Sequence, residues 1–156
     1  MNAKKIFWKH GDVFLIPLKN GKYSVGQILD LQMTNVVRCA IFNEIVTDVK
    51  SENGVNHCNQ NNLISLVACS REQLDYGVWH IVGNKNIEIP LNKYPNEKFR
   101  KNGWVKSAMY DAALVEDFVN SYHALLPWND WGNPDFLDEF LINKKIKPDN
   151  LIYIKK

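Results

Sequence analysis

The sequence predicts an α+β domain: a strongly bent, mainly antiparallel β-sheet with two helices in the C-terminal region and a final strand. Three observations carry this. Asn20-Gly21 joins two β-rich runs, and Asn-Gly is the strongest short hairpin signal because both central residues of a type I′ turn need positive φ. Short apolar or alternating runs rich in Val, Ile, Phe and Tyr recur as far as residue 106. Near Tyr110 the apolar period changes from two to about 3.6 residues, so strands give way to helices. An SH3-like half barrel is one form that such a sheet takes.

The first strand, residues 13–18, is nearly all apolar and suits a strand covered on both faces. Pro17 removes one ladder donor and places that end at an edge or a bulge. Residues 23–31 alternate, with Tyr23, Val25, Gln27 and Leu29 on one face and Ser24, Gly26, Ile28 and Asp30 on the other. A third strand covers 36–42. The polar stretch 47–62, with Asn53-Gly54 and an Asn-rich run, reads as a long loop. Residues 63–69 form a buried strand, 71–75 a helical turn, and 77–83 a strand bracketed by glycines. Short strands are expected at 87–90 and 104–106, with a loop at 92–103.

In residues 111–126, Val115, Phe118, Val119, Tyr122 and Leu126 fall at helical spacing, and Pro127 stops the helix. Asn133-Pro134 opens the second helix: Asn caps, and Pro is tolerated at the first position because its donor would be orphaned anyway. Phe136, Leu137, Phe140 and Leu141 form its apolar stripe, with Lys144 and Lys145 near its last turn. Residues 151–154 read as the final strand, returning to the sheet.

At 156 residues, 46% of them hydrophobic and 23% charged, the chain fits one domain over 1–156. Such a domain buries about 70% of its unfolded surface and needs no staples. No apolar run reaches the ~18 residues of a membrane helix, and residues 1–10 lack the apolar core of a secretion signal. Cys39, Cys58 and Cys69 show no CxxC spacing, which suggests reduced thiols in a cytoplasmic protein.

Chemistry finds little support. His10, His57, His80 and His123 do not pair at ligand spacing, so neither metal nor other cofactor is expected. No phosphate loop, dinucleotide fingerprint or nucleophile elbow is present. Cys58 with His57 or His123 is the one conceivable nucleophile pair, against the simpler reading of a free thiol on a polar loop. Cys39 and Cys69 lie in apolar strands as core. Asp135, Asp138 and Glu139 read as successive turns of an exposed helix.

Charge is more informative. Residues 107–143 hold no Lys or Arg but seven acids, in a chain whose net charge is +2. Such a block is either a solvated face or a docking face for a basic partner. If it docks, Glu116, Asp117, Asn120, Asp130 and Trp131 are the candidate contacts. Trp128 is assigned to the core, whereas Trp131 suits burial and exposure equally. A rival reading is a nucleic-acid-binding module with an SH3-like barrel, using the Lys-rich termini beside Trp8 and Tyr153. The acidic helical third argues against it.

Residues 11–18, GDVFLIPL, followed by Gly21-Lys22-Tyr23 and Val25-Gly26-Gln27-Ile28-Leu29, resemble the opening of the immunity protein 26 family. Residues 74–83, LDYGVWHIVG, resemble that family's Gly-x-Trp-x-x-x-Gly strand. Residues 118–128, FVNSYHALLPW, with Asn133-Pro134-Asp135-Phe136, are similar to its helix-Pro-Trp-helix close. The resemblance implies a bacterial, cytoplasmic, non-enzymatic protein of a polymorphic or contact-dependent toxin system. Such a protein binds a cognate toxin domain and neutralises it by steric occlusion, with no membrane partner. No catalytic residues carry over, and the oligomeric state stays open.

Overall fold

The computed structural model describes residues 4–50, 53–56 and 58–155. Strands β1 (Asp12–Pro17), β2 (Tyr23–Met33), β3 (Val36–Val46), β4 (Leu63–Ser70) and β5 (His80–Asn84) form one antiparallel open sheet. Their order is β4-β3-β2-β1-β5, so a four-strand meander gains β5 on the outer side of β1. Register shifts interrupt the β2–β3 ladder at three places, and each irregularity adds local bend and twist. The α+β class and the bent antiparallel sheet are as the sequence predicts.

The hairpin after β1 forms, but with a different turn. Gly21 N–H bonds the Leu18 carbonyl at 3.1 Å, and Gly21 alone has positive φ, at 81°. That is a type I turn closed by a glycine bulge, not type I′. Asn20 contributes instead through its side chain, which accepts the Lys22 N–H at 3.0 Å. Pro17 lies past the end of the β1–β5 ladder, where its missing donor leaves no gap.

Both faces of the sheet are covered, which explains the continuous apolar run of β1. Phe14, Ile16, Ile28, Val37, Cys39 and Ile41 pack on one side with Trp79, Trp128, Leu137, Phe140 and the buried face of a helix. That helix carries Val115, Phe118, Val119 and Tyr122. Val13, Leu15, Val25, Leu29, Ala40 and Phe42 pack on the other side against Cys58 and Ile89. Val49, Val55 and Cys58, with Ile87, Ile89 and Tyr94, supply this second cover.

Short helices α1 (Asn53–Asn56) and α2 (Glu72–Asp75) precede the main helix α3 (Ala112–Tyr122). α3 stops well before Pro127. Ala124 adopts φ 61°, its N–H bonds the Ser121 carbonyl at 3.1 Å, and the Leu125 N–H reaches the Asn120 carbonyl at 2.8 Å. This paired pattern is a Schellman close, built here with alanine where glycine is usual. The expected second helix is only a 3₁₀ segment, Phe136–Phe140. Its buried residues, Leu137 and Phe140, are three apart and so share one side of a three-residue turn.

Further departures follow from local geometry. The strand expected over 77–83 is shorter, because Gly77 turns at φ 75° and Trp79 N–H bonds the Gln73 carbonyl. No strand forms at 87–90 or 104–106; Trp104 and Lys106 sit at φ 68° and 69° in consecutive turns. The loop at 92–103 contains 3₁₀ turns. The final strand reduces to one parallel bridge, Pro127 to Ile152, so the tail docks on the segment after α3 and not on the sheet.

Candidate functional site

The five acidic-face candidates divide into surface and support. Asp117, Ser121, Leu126, Pro127, Asp130 and Trp131 line a concavity of about 190 Å³ at the end of α3. On the neighbouring side of the helix, Glu116, Asp117 and Asn120 line a second one with Pro17, Leu18 and Lys19. Asp117 stands between the two. Burial pushes its carboxyl above the usual aspartate range, although Lys19 pulls the other way. Asp130 is exposed, and half-buried Trp131 packs on Phe136 at 5.0 Å between ring centres.

Asn120 belongs underneath. It is buried, its Oδ1 accepts the Lys19 N–H at 2.9 Å, and its Nδ2 donates to the Glu116 carbonyl at 2.9 Å. The amide oxygen thus holds the first hairpin against α3, while the amide nitrogen is tied back to the preceding turn of the helix. Glu116 is half-buried and accepts from Gln73 Nε2 at 3.0 Å. The presenting surface is therefore Asp117, Asp130 and Trp131, with Glu116 at its margin.

Folding also tempers the charge block. Asp138 accepts from Trp128 Nε1 at 2.7 Å and from Lys147 Nζ at 2.9 Å. Burial works against its charge, but these two donors hold its carboxyl below the ordinary range. The basic tail thus lies over Trp128, whose ring the Lys147 ammonium approaches at 5.4 Å. Among the acids of 107–143, Asp111, Asp130, Asp135 and Glu139 remain exposed.

Cys58 does not lie on an open polar loop. It is buried in the second core, and burial pushes its thiol up to about 12, far from a neutral-pH thiolate. His57 lies outside the described residues. His123 is mostly buried, its Nε2 has no hydrogen-bond partner, and desolvation lowers it to about 4. A ring in that state is a poor base at neutral pH. Among the described residues, no group of three or more His, Cys, Asp or Glu is arranged to hold a metal.

The aromatic residue invoked for nucleic acid at the N-terminal end is engaged within the protein. Trp8 donates to Asp75 Oδ1 at 2.9 Å, and the Arg71 guanidinium covers its ring at 4.6 Å. The trio ties the N-terminal arm to α2. Tyr153 is exposed beside Lys147.

Arg38, which sequence reasoning passed over, is held by four hydrogen bonds. It is fully buried, forks onto both Asp30 oxygens at 2.6 and 2.7 Å, and reaches Glu97 at 2.6 Å. It also donates to the Pro95 carbonyl at 3.0 Å, with the Tyr94 and Trp104 rings each 5.1 Å away. Residues 94–104 are thereby clasped to the second face of the sheet. An arginine inside an otherwise apolar strand was the available signal.

The family model for immunity protein 26 matches residues 9–107, the sheet and the clasped segment, and stops before α3. No curated protein and no solved structure matches the chain. The match takes in the likeness at residues 11–29 and 74–83 but not the helix-Pro-Trp-helix close, and with well over half its length matched the chain belongs to the immunity protein 26 family.

Proposed function

We propose that this protein neutralises a cognate bacterial toxin domain by binding it and covering its working surface, without chemistry of its own. Family membership supplies the partner class, a toxin protein. The observation supporting the mode of binding is the acidic surface of Asp117, Asp130 and Trp131 at the end of α3. A toxin that cuts nucleic acid needs a basic cleft, and opposite charge accelerates the encounter of two such surfaces. The half-buried Trp131 adds a rigid aromatic contact of the kind that dominates interfaces. The protein acts where the toxin acts, in the cytoplasm of the cell it protects.

The test is co-expression with the toxin domain encoded beside this chain, followed by kinetics on the purified pair. The wild-type chain restores growth and associates faster as salt is lowered. The double variant Asp117→Lys/Asp130→Lys lowers the association rate at least about tenfold and flattens its salt dependence. Unchanged association would remove this surface from the interface. Failure of the wild-type chain to bind or protect would remove the function.

A further inference from the structure

β4 is one outer edge of the sheet, and an edge strand offers its outward N–H and C=O groups to any extended chain that fits alongside. The protein covers both ends of this edge itself. Tyr110 runs parallel to Cys69, donating to the Ala68 carbonyl and accepting from the Ser70 N–H, each at 3.0 Å. At the other end the Ile142 N–H reaches the Ile64 carbonyl at 2.9 Å. These bonds show that the even-numbered residues of β4 turn their backbone groups outward. From Ser65 to Ser70 the pairing with β3 is in unbroken register. By strand alternation the Leu66 N–H and C=O and the Ala68 N–H point outward too. Among the described residues no backbone group outside the ladder bonds to them.

The space beside these groups is a groove. A cavity of about 570 Å³ and another of about 180 Å³ share Leu66, Pro95, Glu139 and Phe140, so they run together along the strand edge. Residues 89–95 form one wall, with Lys93, and residues 139–143 form the other, with Glu139. Leu63, Ile89 and Leu141 make much of the larger cavity apolar. Packed rings link the groove to the acidic surface through the interior: Trp131 packs on Phe136 at 5.0 Å, and Phe136 on Phe140, which lines the groove, at 5.6 Å.

We propose that an extended segment of the partner toxin adds a short strand to β4 at Leu66 and seats one apolar side chain in the larger cavity. Backbone pairing selects an extended chain, since only that conformation presents alternate carbonyls and N–H groups at the ladder spacing. Glu139 and Lys93 meet opposite charges flanking the apolar residue. This inference rests on the toxin-binding reading and names the part of the partner that is held.

Amide hydrogen exchange of the free protein and of its complex with the adjacent-gene toxin domain tests it. In the free protein Leu66 and Ala68 exchange at least about tenfold faster than Ser65 and Val67, whose amides face β3. In the complex both slow by at least about a hundredfold. Lys93→Trp and Glu139→Trp, which fill the groove from exposed positions, raise Kd at least about tenfold. A tight complex in which Leu66 and Ala68 stay unprotected, or which both groove variants form normally, overturns the strand addition while leaving toxin binding in place. Absence of any complex takes down both.

Discussion

Arg38 and His123 show how burial turns single residues into strong levers. Arg38 is buried with two carboxylates and a carbonyl as partners, so removing it takes the guanidinium from Asp30 and leaves Glu97 to Arg100 alone. Arg38→Ala is expected to cost about 3–5 kcal/mol in urea unfolding. Arg38→Lys recovers little of it, because an ammonium cannot fork onto Asp30 while reaching Pro95. His123 acts in the opposite sense. Its folded value of about 4 lies below the ordinary 6.5, so the unfolded chain takes up the proton first as pH falls. His123 therefore has no effect on the pH dependence above about pH 6.5, and stability declines between there and pH 4. The full loss is about 3–4 kcal/mol, at about 1.4 kcal/mol per pH unit over the interval from 6.5 to about 4. Urea midpoints at pH 7 and pH 4.5 measure the decline, and His123→Leu should flatten it. Neither role was legible in the sequence, where Arg38 interrupts a strand and His123 sits on the polar side of a helix pattern. For Arg38, burial from above by Tyr94, Pro95, Glu97 and Trp104, far along the chain, decides the role.

At the scale of elements, the strands of the meander were legible because alternation and apolar runs act through nearest neighbours. The helix ends were not. Pro127 looked like the terminator of α3, yet the chain had already turned at Ala124. An L-residue in the left-handed region costs about 1 kcal/mol that glycine avoids. Ala124→Gly is accordingly expected to raise stability by about 1 kcal/mol, read as an increase in urea midpoint with unchanged slope. Gly26 makes the reverse case. Its backbone φ is ordinary, but a Cβ there would stand 2.5 Å from Phe14 Cζ. The Phe14 ring cannot retreat, being fully buried and stacked on Trp79 at 5.2 Å. Gly26→Ala should destabilise by about 1–3 kcal/mol or more, measured in the same titration. The second helix failed because cap and stripe signals specify a helical start, whereas the fixed positions of Leu137, Asp138 and Phe140 against the core and Trp128 fix a tighter turn.

For the whole molecule, the acidic block was visible as composition, but only packing separates its exposed members from those spent internally. Asp138 is tied to the returning tail and Asn120 to the first hairpin, and no periodicity could reveal partners 9 and 101 residues away. The groove on β4 had no sequence signature at all, since a gap between two covering segments is a property of where both end. Two cores sharing one sheet predict a single unfolding transition, with tryptophan fluorescence and far-UV circular dichroism coinciding in urea. Two separate midpoints would show that the faces melt independently. The Arg38 clasp has one more effect at this scale. By gripping the Pro95 carbonyl it fixes the wall of the groove from behind, through a guanidinium held by two carboxylates. A receptor braced in this way has no shut form to escape before capture. Stopped-flow mixing should show one exponential whose rate climbs in proportion to ligand concentration, without the plateau of a gated approach.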